Sequence, residues 1–390
     1  MNIVTVNSPE TKKAFLDTAR VIYKGDKNWV CPLDIEIENT FDPGHNQSFN
    51  SGEAQRWVLL DDNSKSIGRI AAFYDEKKIL NNNKQPTGGI GFFECTQDQN
   101  AANLLFDTAK NWLQSKNMEA MDGPINFGEN FVNWGLLVDG FMHQGYGMPY
   151  NMPYYKNLFE NYGFRNYFEQ YSYHVDLSKP FNPRMVKFSE YIGSKPEYTF
   201  KHLDLRNLDK FIDDLVTAYN IIWSSYHDSY TPLKHEDIKT MVEGAKAILD
   251  EELIWFAYHN GHPIAFVVVF PDVNQVIKPF KGKLNAFNKL RFVLRKSMKV
   301  ISRSRVLVAG VVPEFQKSGI LGALFLQYVK ALEKKPQHKE IELSWVGDYN
   351  PEMERIYNHI GGVKAKTHIT YRYLFDLNRP FERFTNRTKG

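Results

Sequence analysis

A short turn between a strand pattern and a helix pattern is the part of this chain best suited to hold an anion. Residues 306–312 are rich in β-branched side chains and stop at a proline, while residues 320–332 carry apolar side chains at helical spacing. The first N–H groups of a helix lack intrahelical acceptors, and the helix dipole adds positive charge there. The turn from Gln316 to Gly319 therefore predicts a site for a group such as a pyrophosphate.

The same turn carries a family resemblance. Its pattern V-x-P-x-x-Q-x-x-G, from Val311 to Gly319, resembles the acetyl-CoA motif of the GCN5-related N-acetyltransferase (GNAT) superfamily. Leu321 departs from that motif, because the family usually has a second small residue at this position. The resemblance implies a CoA site formed by Gly310, Val311, Val312, Gln316, Lys317, Ser318, Gly319, Ile320 and Leu321, together with Asn350.

A second element follows in the expected order. Asn350 and Tyr357 stand seven residues apart and Gly361 comes after them, which resembles the family's N-(x)6-Y-x-x-x-G element. In the family this tyrosine lies near the CoA sulfur, so the resemblance implies that Tyr357 protonates the departing thiolate. It also implies that a neutral amine attacks the thioester while a backbone N–H of residues 310–312 polarises the carbonyl. Glu342 and Asp348 are candidates for the base, although either carboxylate could equally be structural.

The two halves of the chain repeat one pattern. Residues 159–177 and 357–377 each give a helix end, a glycine turn and a tyrosine-rich strand that finishes in Asp-Leu. The first half therefore resembles a second GNAT copy. Its turn between Cys95 and Asn100 has no glycine, and Phe159 stands where the other half has Tyr357. We expect a degenerate copy that does not hold CoA in the usual way but shapes the acceptor pocket.

The predicted fold class is α+β, with two tandem GNAT-like domains that are each a mixed, mostly antiparallel sheet flanked by helices. The predicted boundaries are 1–178 for the degenerate domain, 179–197 for a linker and 198–390 for the acyl-CoA-binding domain. Prolines and glycines mark the linker, which has room for a short helix at 185–192. The apolar run AFVVVF at 265–270 predicts a strand buried on both faces.

A basic insertion at 278–305 interrupts the second domain. It holds ten Lys or Arg and no acidic residue, and it carries an apolar stripe at spacings of three and four. The stripe consists of Leu284, Phe287, Leu290, Leu294 and Met298. One interpretation is contact with an anionic membrane surface, or with a lipid or polyanionic substrate. The other is a solvated basic face whose stripe packs on the domain, or a wall near the 3′-phosphate of CoA.

Composition narrows the class of protein. The 390 residues are 43% hydrophobic and 24% charged with a net charge of +3, which is typical of a globular protein of one or two domains. Cys31 and Cys95 give no disulfide framework, and the chain shows neither a leader peptide nor an apolar run of membrane-spanning length. We therefore expect a cytoplasmic location.

Other chemistries have little support. His227, His235, His259 and His262 are near one another in sequence, but no Cys or carboxylate spacing makes a zinc site, so no metal is expected. Nucleic-acid binding would rest on the basic insertion alone, so no nucleic acid is expected.

The resemblance implies an acyl-CoA-dependent N-acyltransferase. Its co-substrate would be acetyl-CoA or a longer acyl-CoA, and its acceptor a small-molecule or lipid amine. The alternative is a non-catalytic protein that binds acyl-CoA or a lipid surface on a GNAT scaffold. Leu321 favours that alternative, whereas the intact pair of Asn350 and Tyr357 favours the enzyme.

Overall fold

The first half of the chain alternates strands with helices. In this computed structural model residues 1–80, 84–128, 132–224 and 232–385 are described; His227, one of the four histidines that are near one another in sequence, lies outside them. The elements of the first half are β1 (Asn2–Thr5), α1 (Pro9–Ile22), α2 (Asp34–Thr40), β2 (Gly52–Leu60), β3 (Ser66–Asp75), β4 (Thr87–Cys95), α3 (Gln99–Ser115), β5 (Ala120–Gly123), β6 (Leu136–Asp139), α4 (Tyr155–Tyr162) and β7 (Arg165–Asp176).

The second half begins with a helix in the segment predicted as a linker. The elements are α5 (Pro183–Gly193), β8 (Tyr198–His202), α6 (Leu208–Ser224), α7 (His235–Ala245), β9 (Ile254–His259), β10 (His262–Pro271), α8 (Asn274–Ile277), α9 (Ala286–Ser297), β11 (Arg303–Val311), α10 (Ile320–Glu333), β12 (Glu340–Gly347), α11 (Pro351–His359) and β13 (Val363–Leu374). Proline at the start of α1, α5 and α11 fits the first helical turn, where its missing N–H costs no hydrogen bond.

The strands of the described residues join in one sheet, and the two halves exchange their last strands. The strand order is β1-β2-β3-β4-β5-β13-β7-β12-β11-β10-β9-β8, with β6 beside β13. The final strand of the chain, β13, therefore lies between β5 and β7 of the first half, while β7 pairs with β12 of the second half. The sequence repeat did not predict this exchange. Because of it, each half of the sheet is completed by a strand from the other.

The repeated ending predicted from sequence has the same local structure in both halves. Helix α4 ends at Gly163, which has φ +110° and leads into β7; α11 is followed by Gly361, which has φ +85° and leads into β13. Both glycines adopt a left-handed conformation that side chains with a Cβ rarely tolerate. The two turns therefore explain why glycine recurs at this point of the repeat.

Each half of the molecule has a hydrophobic core that includes residues of the strand contributed by the other half. The core of the first half packs α3 and α4 on β2 to β5, and it includes Ile369, Tyr371 and Tyr373 from β13. The core beneath α10 includes Tyr173 and Val175 from β7. On the other side of the second half, α6 and α7 cover β9 to β11. Strand β10 lies between these two layers, which confirms its predicted burial on both faces.

Helix α9 from the basic insertion carries its apolar stripe on the outside. Phe287, Leu290, Leu294 and Met298 are each more than half exposed, while Phe292 is half-buried against a core cluster. The interpretation in which the stripe packs on the domain is therefore wrong. Among the residues that the structure describes, no helix is both long and apolar enough to cross a bilayer.

Candidate active site

Strands β11 and β12 lie side by side briefly and then diverge. In the part of the chain that the structure describes, these parallel strands pair only where Arg303–Arg305 meet Glu340–Glu342. Strand β11 continues to Val311 and β12 to Gly347. A gap therefore opens within the sheet, and backbone groups that would otherwise join the two strands face it. Such a gap can admit an extended ligand.

The register of β10 with β11 decides which N–H groups point into the gap. Val312 N–H donates to Ile264 O at 2.9 Å, so β10 already holds it. Hydrogen-bonded pairs alternate along antiparallel strands, and this alternation directs the Gly310 N–H to Phe266. The Val311 N–H consequently points to the opposite edge of β11, toward the gap. Of the three residues predicted at this edge, Val311 is the one placed to polarise a carbonyl there.

Two backbone N–H groups in the turn after β11 donate hydrogen bonds to carbonyl oxygens of the same turn. Gln316 N–H donates to Pro313 O at 3.3 Å, and Ser318 N–H donates to Phe315 O at 3.0 Å. These two N–H groups are therefore not among those offered to an anion. The side chains of Gln316 and Lys317 are exposed beside the turn. The Lys317 ammonium is a mobile positive charge that can reach a phosphate at this point.

The start of α10 lies where the anion site was predicted. Gly319 has φ +81°, and its left-handed backbone turns the chain into the helix. Ile320 N–H donates to Ser318 Oγ at 3.3 Å. Leu321 and Gly322 lie in the first turn, where a helix offers no intrahelical acceptor for the N–H groups. The first turn of α10, more than the preceding turn, therefore has N–H groups available for the predicted anion site.

Helix α5, from the predicted linker, packs closely against this first turn. A Cβ placed on Gly319 would come 2.3 Å from the ring of Phe188, and one on Gly322 would come 3.1 Å from Ser189 Oγ. Gly322 lies one residue after the position at which the family motif has its second small residue. Because it has no side chain, it lets α5 pack closely against α10. Leu321 is half-buried against the core beneath α10, so its side chain points away from the turn's open side.

Tyr357 lies on α11 beside the diverging part of β12. Its hydroxyl is 2.8 Å from Ser344 Oγ, and its ring packs edge-on against Tyr173 at 5.3 Å. Burial raises the pKa of Tyr357 to about 12, so the phenol is protonated at neutral pH. Asn350 caps α11, since its side chain accepts a hydrogen bond from Met353 N–H at 3.2 Å. The Asn350 amide therefore fixes the helix that carries Tyr357, a structural role beside the predicted CoA contact.

The two carboxylates predicted as bases are both paired. Asp348 contacts Arg383 at 2.5 Å near the end of β12. Glu342 is fully buried and forms an ion pair with Lys366 of β13. Although burial opposes its ionisation, Lys366 and His174 hold the pKa of Glu342 well below its ordinary value. Glu342 is therefore a weaker base than a free glutamate, and Asp348 is engaged by Arg383.

Histidines from distant segments meet at Glu342 and Glu340. His174 Nε2 lies 3.5 Å from Glu342 Oε2, and the His174 ring stacks on His143 with centroids 5.2 Å apart. Burial and the charge of Arg303 lower the pKa of His143 to about 3. The side chains of His174 and His143 are 17% and 36% exposed, so the cluster opens toward solvent on this side.

The same cluster offers a set of ligand atoms that a divalent ion could use. One atom each from His143, His174 and Glu340 lie within 4.8 Å of one another. Three such ligands are the usual protein contribution to a catalytic zinc site. Arg303 competes for Glu340, because its Nη1 donates to Glu340 Oε1 at 3.0 Å.

Sequence reasoning missed His143, His174 and Lys366. For His174 and Lys366 the available signal was polar residues at alternate positions of a strand, whereas His143 lies between β6 and α4, where no such pattern applies. Gln170, Ser172 and His174 follow that period in β7, and Lys366, His368 and Thr370 follow it in β13. All but His174 are buried. Because successive strand residues point to opposite faces, such a pattern indicates one polar face inside the protein.

In the first half, the backbone groups that correspond to Val311 and to the start of α10 already have partners. Thr96 N–H donates to Ile67 O, as Val312 N–H does to Ile264 O, so Cys95 corresponds to Val311. The Cys95 N–H donates to the Tyr155 hydroxyl at 3.0 Å. Asp98 caps α3 through bonds from Asn100 and Ala101, which places a carboxylate where an anion would bind. These contacts support the predicted degeneracy of this copy.

Comparison with known proteins gives two relatives over nearly the whole chain. Bacterial ceramide synthase of Caulobacter vibrioides is 25% identical over 379 residues, which span 95% of this chain and 97% of that protein. Protein YghO of Escherichia coli is 26% identical over 370 residues, which span 92% of each chain. No model of a known protein family matches the chain.

Solved structures share the fold over the full length. A tandem GNAT protein from the clavulanic acid biosynthesis pathway superposes with a TM-score of 0.57 and 11% identity, covering 98% of this chain and 99% of that one. A GCN5-related N-acetyltransferase from Sphaerobacter thermophilus gives 0.53 with 12% identity, covering 98% of each chain. The chain has the tandem GNAT fold, and the fold predicted from the two motifs is confirmed.

Proposed function

We propose that this protein transfers an acyl group from acyl-CoA to the amino group of a lipid. The observation that carries the proposal is the gap between β11 and β12, with the Val311 N–H on one side and the Tyr357 hydroxyl beside the other. The similarity to bacterial ceramide synthase supports a lipid amine as acceptor, because a ceramide is an N-acylated long-chain amino alcohol.

In the proposed reaction the amine attacks the thioester carbonyl carbon. The Val311 N–H donates to the carbonyl oxygen, on which negative charge grows as the C–N bond forms. The C–S bond then breaks, and Tyr357 gives its proton to the departing thiolate. Burial raises the pKa of Tyr357, so the phenol carries its proton when the substrates bind.

His174 is the proposed acceptor of the proton that the amine loses. Glu342 is the last residue of β12 paired with β11, and its register partner on β7 is His174. The Glu342 carboxylate lies 3.5 Å from His174 Nε2 and stabilises the imidazolium that forms. Glu342 is itself held by Lys366 and acts as a positioning residue. This assignment replaces Glu342 and Asp348 as direct bases.

The decisive test is an acyl-transfer assay with matched acceptors. Acetyl-CoA and palmitoyl-CoA are offered with a long-chain amino diol, and with the corresponding diol that lacks the amino group. We expect release of free CoA and an amide product with the amino diol alone, detected by thiol assay and mass spectrometry. Binding of CoA without transfer to any of a broad panel of amines would overturn the proposal in favour of a non-catalytic binding protein.

A further inference from the structure

We propose that α9 lies in the surface of an anionic lipid bilayer, as an interfacial helix that docks the protein on the membrane. Most of the apolar side chains of α9 are exposed to solvent. Phe287, Leu290, Val293, Leu294 and Met298 are between 52% and 73% exposed. A surface helix of a water-facing protein normally turns such residues inward.

The inner side of α9 is already occupied. Asn288 is buried and donates through Nδ2 to Lys283 O at 2.8 Å, while Phe292 is half-buried against the cluster around Phe280. With 3.6 residues per turn, Asn288 and Phe292 share one side of the helix, and Leu290 and Leu294 lie on another. The apolar side cannot turn inward without giving up these contacts.

The positive charges along α9 indicate that its apolar side contacts an anionic bilayer. Lys289, Lys296 and Lys299 are exposed along α9 and just beyond its end, and residues 278–305 contain no acidic side chain. Cations that flank an apolar face attract anionic headgroups while the apolar residues enter the boundary with the acyl chains. A second protein surface would need a matching acidic rim around an apolar patch, whereas an anionic bilayer supplies both features everywhere.

The apolar surface continues beyond the helix. Ile35 of α2 is 53% exposed and, with Leu284, lines a depression of about 320 Å³ beside the start of α9. Asp34 and Glu38 also line it, and their carboxylates pair with Lys283 and Arg56. Asp34 holds the two segments together through Lys283 at 2.8 Å and through its own N–H to Gly282 O. The docking surface is therefore a fixed combination of α2 and α9, which belong to different halves of the chain.

Docking is measured without turnover, so it can fail or hold independently of the proposed function. The full-length protein is co-sedimented with vesicles of phosphatidylcholine alone and with vesicles containing about 30% phosphatidylglycerol. We expect binding to the anionic vesicles that weakens as salt is raised, because exposed charges are screened within about 10 Å at 0.1 M ionic strength.

Variants separate the apolar and charged contributions. Leu290→Gln/Leu294→Gln changes residues that are already exposed, so folding should persist, and vesicle binding should fall by about tenfold or more. Lys289→Glu/Lys299→Glu should abolish the preference for anionic vesicles, whereas Lys289→Arg/Lys299→Arg should retain it. Val363→Gln/Leu377→Gln is the matched control, since these residues are 68% and 71% exposed elsewhere and should leave binding unchanged.

Two outcomes would overturn the proposal. One is an absence of vesicle binding by the parent protein at low ionic strength, or equal binding by Leu290→Gln/Leu294→Gln. The other is a parent protein that elutes as a dimer and becomes a monomer in Leu290→Gln/Leu294→Gln, with no vesicle binding by either. That result would assign the apolar face to a second copy of this chain.

Discussion

The Tyr357 hydroxyl lies 2.8 Å from Ser344 Oγ, and this contact ties α11 to the strand that diverges from β11. The contact places a protonated phenol beside the gap in the sheet. It also gives the hydroxyl a neutral partner, so the phenol is not tied to a carboxylate as Tyr173 is to Glu354 at 3.1 Å. Removing the hydroxyl of Tyr357 and removing that of Tyr173 should therefore have different effects on turnover.

Tyr357→Phe should lower turnover by about 10²-fold, the lower end for loss of a positioned proton donor. CoA affinity should change little, and the free energy of unfolding should fall by about 1 kcal/mol for one lost hydrogen bond. Tyr173→Phe is the control, because it removes a hydroxyl from the ring packed against Tyr357 and should keep the parent rate. Phe159→Tyr should confer no activity on the first half. Turnover of Tyr357→Phe at the parent rate would remove Tyr357 from the mechanism.

Gly319→Asp should weaken CoA binding by at least about tenfold, because it adds negative charge at the start of α10 where the pyrophosphate is expected. The left-handed backbone of Gly319 makes any side chain costly there. Gly319→Asn is the control, since it brings the same backbone strain and the same contact of a Cβ with the Phe188 ring without the negative charge. Calorimetry should show weaker CoA binding for Gly319→Asp than for Gly319→Asn; equal affinity in these two variants would place the pyrophosphate elsewhere.

His174→Gln should lower kcat/KM by about 10²-fold, because the proposed base is lost. His143→Gln should have a smaller effect, since burial and Arg303 lower the pKa of His143 to about 3 and make it a poor base at neutral pH. Both variants are assayed with and without EDTA, because these histidines and Glu340 could also hold a divalent ion. Turnover of His174→Gln at the parent rate would exclude His174 as the base.

Stability should fall as the pH drops below about 6.5, the ordinary histidine value. Burial and Lys366 lower the pKa of His368 to about 3 in the folded protein. Between these two pH values the unfolded chain binds a proton at His368 that the folded protein does not bind. The resulting loss of stability is absent above pH 6.5 and grows as the pH falls. His368→Gln should reduce the slope by up to about 1.4 kcal/mol per pH unit. Denaturant unfolding at several pH values measures it, and an unchanged slope would contradict the neutral state of His368.

Much of the candidate site could be predicted from sequence because its parts are local. The turn from Gln316 to Gly319, the cap at Asn350 and the glycine before β13 each depend on neighbours within one helical turn. The family resemblance then related those local parts to CoA. The apolar stripe of α9 was equally visible, since a period of 3.6 residues shows that a helix has an apolar side. It does not show which way that side faces.

Tertiary structure decided which segments meet. Strand exchange depends on which edges are free when the two halves of the sheet assemble, and no local pattern in β7 or β13 specifies that choice. The exchange brings His174 of one half beside Glu342 of the other, and Lys366 completes the ion pair from a third strand. Packing of α5 against the start of α10, and the outward face of α9, likewise depend on surfaces distant in sequence. The sequence by itself determined the local turns, caps and helical faces, while long-range pairing of strands decided the polar cluster, because it is built from side chains that only the assembled sheet brings together.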